Sequence, residues 1–140
     1  MAKKGWEHFH HQADIGVRGI GSSLAEAFEQ GAFALMAVIC EPEKVSAEEE
    51  VEIECGCEDV ELLFADWLNG LICEMATRGM VFSRFEVSID NGKLTGKSWG
   101  EEADPERHET AVEVKGATYT ELKVYQNAEG LWVAQCVVDV

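Results

Sequence analysis

The chain has 140 residues, of which 46% are hydrophobic, and this length predicts a single domain over residues 1–140. A chain of this size and composition buries a core without covalent cross-links, which excludes a disordered or linker-like protein. Its 11 basic and 27 acidic residues give a net charge of −16. Because such a surface repels phosphate groups, the composition argues against direct binding of nucleic acid or of an anionic membrane.

Location is also constrained by the sequence. The N-terminal residues become polar before an apolar segment begins, so they do not have the pattern of a targeting signal. The longest mostly apolar stretch, residues 32–40, is far shorter than the roughly 20 residues of a membrane-spanning helix. The five cysteines, an odd number without an export signal, predict reduced thiols in a cytoplasmic protein. We interpret Cys55 and Cys57, whose spacing is too short for a redox pair, as packing residues.

The first predicted elements are a strand, a turn-rich stretch and a helix. Residues 6–10 alternate between apolar and polar and predict a short strand. The turn-rich stretch is inferred from three glycines, Gly16, Gly19 and Gly21. The last two also give a weak likeness to a phosphate-binding loop. Ser23 and Glu26 have the spacing of a capping box, so the first helix is predicted from Ser22 or Ser23 to Cys40.

A strand, a long helix and a hairpin follow. Residues 45–55 alternate with glutamates and predict a strand with one buried face. A second helix is predicted from Glu58-Asp59 to Arg78-Gly79, because its apolar residues recur at steps of three and four. Residues 81–89 and 93–99 predict two strands joined at Asp90-Asn91-Gly92, a strong hairpin signal.

The last forty residues predict strands and loops. Residues 100–109 are acidic, contain Pro105 and predict a loop. Residues 110–115, 118–126 and 131–138 predict strands, with Gly116 interrupting the first two. The order of elements favours an α+β fold, a mostly antiparallel sheet of hairpin-linked strands with two main helices packed on it.

Four possible metal ligands lie near the N-terminus: His8, His10, His11 and Asp14. In a strand, His8 and His10 share one face while His11 points away, so one ion cannot easily bind all three. We interpret His8 and His10 as half-exposed strand residues and leave the role of His11 open. The sequence contains no HExxH motif and no cysteine pairs spaced for zinc.

Two aspartates have unusual surroundings. Asp14 lies between small and apolar residues, where a carboxylate either caps a turn or meets a cation. Asp139 follows two valines and precedes Val140, so it is either a frayed end or part of an oxygen cluster able to hold calcium or magnesium. Lys115 lies in an apolar run, and it either reaches solvent, pairs with these carboxylates or contacts a phosphate. No phosphate-binding or nucleophile motif is present, so the residues form no complete catalytic set.

Three segments together resemble the archease family. They are FHHQADIG at residues 9–16, KGATY at residues 115–119 and CVVDV at residues 136–140. The resemblance extends over the whole chain, since the length and the order of the helices also agree. Two positions depart from the family pattern: Gln12 replaces the usual threonine, and Thr120 replaces a histidine that commonly follows the tyrosine.

The resemblance implies an accessory protein without catalytic residues of its own. It implies activation of a GTP-dependent tRNA-splicing RNA ligase of the RtcB type, by promoting guanylylation and multiple turnover of that ligase. The implied site binds a divalent cation (Ca²⁺ in crystals, with Mg²⁺ or Mn²⁺ as alternatives) through Asp14, Asp139 and the carboxylate of Val140. Lys115 matches a residue needed for activation, and His11 could support the ligands.

Two other classes of function stay open. One is a chaperone-like interaction module without metal-dependent chemistry, which would bind through exposed apolar patches. The other is a metal-dependent hydrolase, for which only His11 could serve as an activating base.

Overall fold

The structure, a computed structural model, describes residues 4–110 and 112–140. Residues 1–3 belong to the N-terminal segment in which the sequence predicts no targeting signal, and they lie outside the described residues. Ala111, within the strand predicted at residues 110–115, lies outside them as well. In chain order the elements are β1 (Gly5–His11), β2 (Asp14–Gly21), α1 (Leu24–Ile39), a 3₁₀ turn (Pro42–Lys44), β3 (Glu49–Gly56), α2 (Val60–Arg78), β4 (Met80–Asp90), β5 (Lys93–Glu102), α3 (Pro105–His108), β6 (Gly116–Ala117), β7 (Lys123–Gln126) and β8 (Trp132–Asp139).

These strands form two antiparallel sheets. The larger sheet has the order β1-β2-β8-β6, and β7 pairs with β8 beside β6. β8 is therefore central: β2 pairs with one of its edges, and β6 and β7 pair with the other. The smaller sheet has the order β3-β5-β4. The predicted α+β class, with antiparallel strands and two main helices, is confirmed, and the strands are divided between two sheets.

The first helix begins where the capping residues predict. Ser23 is the N-cap, and its hydroxyl accepts a hydrogen bond from the N–H of Glu26 at 3.0 Å. The carboxylate of Glu26 in turn accepts from the N–H of Ser22 at 2.8 Å. These bonds satisfy amides that the first turn leaves free. The helix ends at Ile39, and Cys40 caps it just before Pro42.

The turn-rich stretch predicted at Gly16, Gly19 and Gly21 is wrong, and so is its likeness to a phosphate-binding loop. These glycines lie in β2. A Cβ at position 19 would lie only 2.1 Å from the carbonyl oxygen of Ala27 in α1. Gly19 and Gly21 therefore let the helix backbone approach the strand closely, and Gly16 leaves room for the ring of Phe9 in β1. These are packing requirements and not turn signals.

The second helix confirms its prediction at both ends. The side chain of Asp59 caps the first turn by accepting from the N–H groups of Glu61 and Leu62. Gly79 ends the helix in the left-handed conformation, with φ of 66°. Trp67, in the middle of α2, is fully buried and donates its indole N–H to the carbonyl of Phe28 in α1. Residues from both sheets and from both long helices belong to one hydrophobic cluster.

Several predicted strand bounds are wrong. Residues 45–47 precede β3, which starts only at Glu49, and the predicted loop at residues 100–109 instead contains the end of β5 and the short helix α3. Among the described residues of 110–115 no strand is found, whereas Gly116, predicted as an interruption, lies in β6. Within the described ranges, neither long helix meets the length and hydropathy that crossing a membrane requires.

Candidate functional site

At one end of the larger sheet, one residue from each of four adjacent strands lies in a row: His11, Asp14, Asp139 and Gly116. His11 in β1 pairs with Asp14 in β2, and Asp139 in β8 pairs with Gly116 in β6. The last registered pair between β2 and β8 is Ile15 with Val138, so Asp14 and Asp139 occupy the next position of that ladder. Residues opposite each other on adjacent strands present their side chains to the same face of a sheet. The fold therefore brings together two aspartates separated by more than a hundred residues of sequence.

Val140 also contributes to this end of the sheet. Its backbone N–H donates to Oδ1 of Asp14, with 3.5 Å between the heavy atoms. The carbonyl carbon of Val140 is two covalent bonds from that nitrogen, so main-chain oxygen of this residue also lies near Asp14. Asp14 and Val140 are half-buried, whereas Asp139 is exposed. The long N–H contact leaves the Asp14 carboxylate free to accept further partners.

Lys115 meets the site through its backbone. Its N–H donates to the carbonyl oxygen of Asp139 at 2.8 Å. The side chain is exposed, and among the ion pairs within 4.0 Å formed by the described residues, none joins Lys115 to Asp14 or Asp139. Lys115 is therefore held next to the aspartates by its main chain, and its ammonium group is available to a partner.

The histidines separate as the strand pattern predicts. His8 and His10 are exposed, and Nε2 of His8 lies 2.7 Å from the carbonyl oxygen of Ala34. His11 is half-buried and lies opposite Asp14. In residues 4–110 and 112–140, no three histidine, cysteine, aspartate or glutamate side chains are grouped so that they could hold a metal ion. A cation at this end of the sheet would need oxygen ligands from outside these side-chain types beside the two aspartates.

Comparisons of the sequence with known proteins identify the family of this chain. The model of the Archease protein family (MTH1598/TM1083) matches residues 6–140. The chain belongs to the archease family. The protein archease of Pyrococcus abyssi is 45% identical over 98% of this chain and 99% of that protein, and that of Pyrococcus furiosus is 44% identical over 96% and 98%.

Solved structures extend the comparison. The solution structure of Methanobacterium thermoautotrophicum protein 1598 has a TM-score of 0.85 and 36% identity, and it covers 99% of this chain and 100% of that one. The crystal structure of an archease from Thermotoga maritima has a TM-score of 0.64 with 22% identity, over 100% of this chain and 98% of that one, and so supports the fold alone. Archease membership thus rests on sequence and on structure.

In this archease, one residue beside the site was missed by sequence analysis. Asn69, in α2, accepts from the N–H of Ala117 at 2.9 Å and donates to the carbonyl of Ala117 at 3.3 Å. Ala117 follows Gly116 in β6, the strand that pairs with Asp139. The sequence did contain one indication of Asn69: it is a polar residue that directly follows the buried pair Trp67 and Leu68 in an otherwise apolar stretch of the helix.

A second missed group lies away from the site. The Glu101 carboxylate, almost buried, accepts from the N–H of Ser46 at 2.8 Å, from His108 Nε2 at 2.8 Å and from Arg107 at 2.5 Å. His108 is fully buried, and its Nδ1 accepts from the N–H of Asp104, so its Nε2 carries the proton given to Glu101. These hydrogen bonds lower the pKa of Glu101 to about 2, and the bond from Ser46 has the largest effect. The group fixes α3 and the end of β5 against the segment between the 3₁₀ turn and β3.

All five cysteines are free. Cys55 and Cys57 are half-buried and pack against the core, which confirms their interpretation as packing residues. Burial raises the pKa of the Cys55 thiol to about 11 and that of Cys136 to about 12. A raised thiol pKa disfavours the reactive thiolate, so these residues are not suited to redox chemistry at neutral pH.

Proposed function

We propose that this archease activates a GTP-dependent tRNA-splicing RNA ligase of the RtcB type by promoting guanylylation of the ligase and its multiple turnover. The observation that carries the proposal is the adjacency of Asp14 and Asp139 at one end of the larger sheet. Neither aspartate forms an ion pair within 4.0 Å among the described residues. Exposed or half-exposed carboxylates without a cation of their own are suited to an external one.

The donor set fits a hard divalent cation. Asp14 and Asp139 supply carboxylate oxygens, and in the proposal the carboxylate of Val140 supplies the third group. Oxygen ligands of this kind suit Ca²⁺, Mg²⁺ or Mn²⁺ and not the softer metals that cysteine selects. When bound, the cation would supply positive charge that draws phosphate oxygens to this end of the sheet. His11, opposite Asp14, would support the position of that carboxylate.

Lys115 has a separate part in the proposal. Its backbone is tied to Asp139, while its ammonium group is exposed. A flexible cation beside the carboxylates can contact a nucleotide phosphate in the ligase or orient the carboxylates toward it. The net charge of −16 would draw the whole protein toward the basic surface that a ligase needs for RNA.

The decisive test is neutralisation of each aspartate. We expect Asp14→Asn and Asp139→Asn to abolish stimulation of ligase guanylylation and to weaken Ca²⁺ binding more than tenfold, because each removes a carboxylate at unchanged size. Guanylylation is measured with substoichiometric archease, and Ca²⁺ binding by calorimetry. A form extended by one glycine after Val140 moves the terminal carboxylate and should weaken Ca²⁺ binding in the same way.

The matched control is Glu52→Gln, which neutralises an exposed strand glutamate on the other sheet. It should leave both stimulation and Ca²⁺ affinity unchanged. Full stimulation by both aspartate variants would overturn the proposed site. Equal losses in all three variants would assign the effect to total charge and not to the site.

A chaperone-like interaction module is the second candidate. It is supported by Tyr119, which is 69% exposed in the turn that follows β6, and by the description of the Thermotoga maritima archease as a possible chaperone. An exposed aromatic ring offers apolar area to a protein partner. This function predicts that Tyr119→Ser weakens binding to the ligase while the aspartate variants bind and stimulate normally.

A further inference from the structure

Helix α2 lies along the open edge of the larger sheet. β6 and β7 pair with β8 on one side, and on their other side α2 provides polar side chains to their backbones. Glu61, in the first turn of α2, accepts from the N–H of Val124 in β7 at 3.3 Å. Asn69, two turns further along, bonds to Ala117 in β6. The helix therefore satisfies strand groups that a further strand would otherwise bind.

The contact of Asn69 has a specific geometry. Its Oδ1 accepts from the N–H of Ala117 and its Nδ2 donates to the carbonyl of the same residue, at 2.9 and 3.3 Å. The side-chain amide thus pairs with both groups of one residue, as the backbone of a neighbouring strand does. The two bonds also fix the orientation of the amide, because a flipped amide would oppose donor to donor.

Ala117 is connected directly to the candidate site. It pairs with Val138, and its neighbour Gly116 pairs with Asp139. One residue earlier, the N–H of Lys115 donates to the carbonyl of Asp139 at 2.8 Å. β6 has only two residues, and beyond it the N–H of Thr118 also ties the segment to β8 by donating to the carbonyl of Val137 at 3.0 Å. Asn69 adds two hydrogen bonds on the opposite edge of β6, between this bond and that of Lys115.

We propose that Asn69 is a positioning residue, which holds the segment of Lys115 against Asp139 and so keeps the cation site and the activating lysine in place. The part that concerns the cation and the ligase rests on the proposed function. The part that concerns the position of Lys115 rests on the hydrogen bonds alone. Asn69 acts through β6 and touches neither the cation nor the partner.

The test compares Asn69→Ala with Glu61→Ala in the full chain. Glu61→Ala is the matched control, because it removes a bond from the same helix to the same sheet edge, but at β7. Amide hydrogen exchange followed by NMR should show Lys115 and Ala117 exchanging at least about tenfold faster in Asn69→Ala, and only Val124 faster in Glu61→Ala. Asn69→Leu removes the same two bonds but keeps a branched side chain of similar shape, and it gives the same readout should the alanine variant not fold.

Calcium titration by calorimetry provides the second readout. Ca²⁺ affinity should fall about tenfold in Asn69→Ala, the effect expected when a group that orients a ligand is lost, and should stay within about twofold in Glu61→Ala. Unchanged exchange of Lys115 in both Asn69 variants would overturn the proposal, and so would equal losses of affinity in Glu61→Ala. If the unaltered protein does not bind Ca²⁺ or stimulate the ligase, the proposed function fails, while the exchange data still decide whether Asn69 holds Lys115.

Discussion

Among single residues outside the candidate site, Glu101 is a nearly buried carboxylate with a strongly lowered pKa. Its carboxylate accepts three hydrogen bonds, from Ser46, His108 and Arg107, and these lower its pKa to about 2. A carboxyl whose pKa is lower in the folded state stabilises the fold above the pKa of the unfolded state. That stabilisation is present above pH 4.5 and is lost as the pH falls from about 4.5 to about 2.

We expect Glu101→Gln to lower the free energy of unfolding at pH 7 by about 1–3 kcal/mol, because it leaves donors around a nearly buried group without a charged acceptor. The difference from the unaltered protein should shrink as the pH falls below 4.5. Urea unfolding at several pH values measures it. Glu102→Gln, at an exposed neighbour, should change stability by less than about 0.5 kcal/mol at every pH. A constant difference for Glu101→Gln across this range would contradict the assignment.

At this scale the sequence identifies residues whose immediate neighbours are unusual. Asp14 and Asp139 were selected because apolar residues flank them, and the fold places them on adjacent strands. Asn69 and Glu101 could not be selected in the same way. Their partners, Ala117 and Ser46, lie 48 and 55 residues away along the chain, and only the folded chain brings those groups together.

At the scale of elements, the contact between β2 and α1 is closest at Gly19. A Cβ there would lie 2.1 Å from the carbonyl oxygen of Ala27 and 2.2 Å from the nitrogen of Gly31, both in the helix backbone. Backbone atoms cannot rotate away as a flexible side chain can. Any side chain at position 19 therefore displaces the whole helix from the strand.

We expect Gly19→Ala to lower the free energy of unfolding by about 3 kcal/mol or more, at the upper end of the range for overpacking. Gly56→Ala is the control, because a Cβ at that strand position finds its nearest atom at 3.7 Å, an ordinary contact. It should change stability by less than about 1 kcal/mol. Thermal unfolding followed by circular dichroism compares the two, and equal stability of both variants would show that α1 can shift without loss.

The elements that local signals predict well are those whose ends carry their own caps. Ser23, Asp59 and Gly79 define three of the four ends of the long helices, and each acts within its own turn. Strand limits were predicted less well after residue 100. β6 and β7 are short, and their limits are set by where they pair with β8. The alternation of residues 110–126 contains no information about that pairing. The same reason explains why the division into two sheets was not predicted.

For the whole molecule, the net charge of −16 is the property with the longest range. Carboxylates such as Glu50, Glu52 and Glu54 line one exposed face of β3, and none of these three forms an ion pair within 4.0 Å among the described residues. Charges of this kind act on a partner before contact, since their field extends over roughly 10 Å at an ionic strength of about 0.1 M. They affect the rate of encounter more than the final affinity.

We expect the association rate constant with the proposed ligase partner to fall at least about tenfold as ionic strength rises from about 0.01 M to about 1 M. This rise shortens the screening length from roughly 30 Å to roughly 3 Å. Stopped-flow fluorescence measures this rate. The variant with Glu50, Glu52 and Glu54 all changed to glutamine should show a shallower dependence on salt. An association rate that does not respond to ionic strength would refute electrostatic steering while leaving the aspartate site untouched.

The order of strands has a consequence for biosynthesis. β8 is the last element in the chain, yet it is the central strand that joins β2 to β6 and β7. A ribosome releases the other strands first, so β2, β6 and β7 have no common neighbour until β8 emerges. The smaller sheet, built from β3, β4 and β5, depends on no such late arrival. A nascent chain stalled before residue 132 would therefore carry Asp14 on an unfinished sheet, so the candidate site can exist only in molecules whose translation has passed β8.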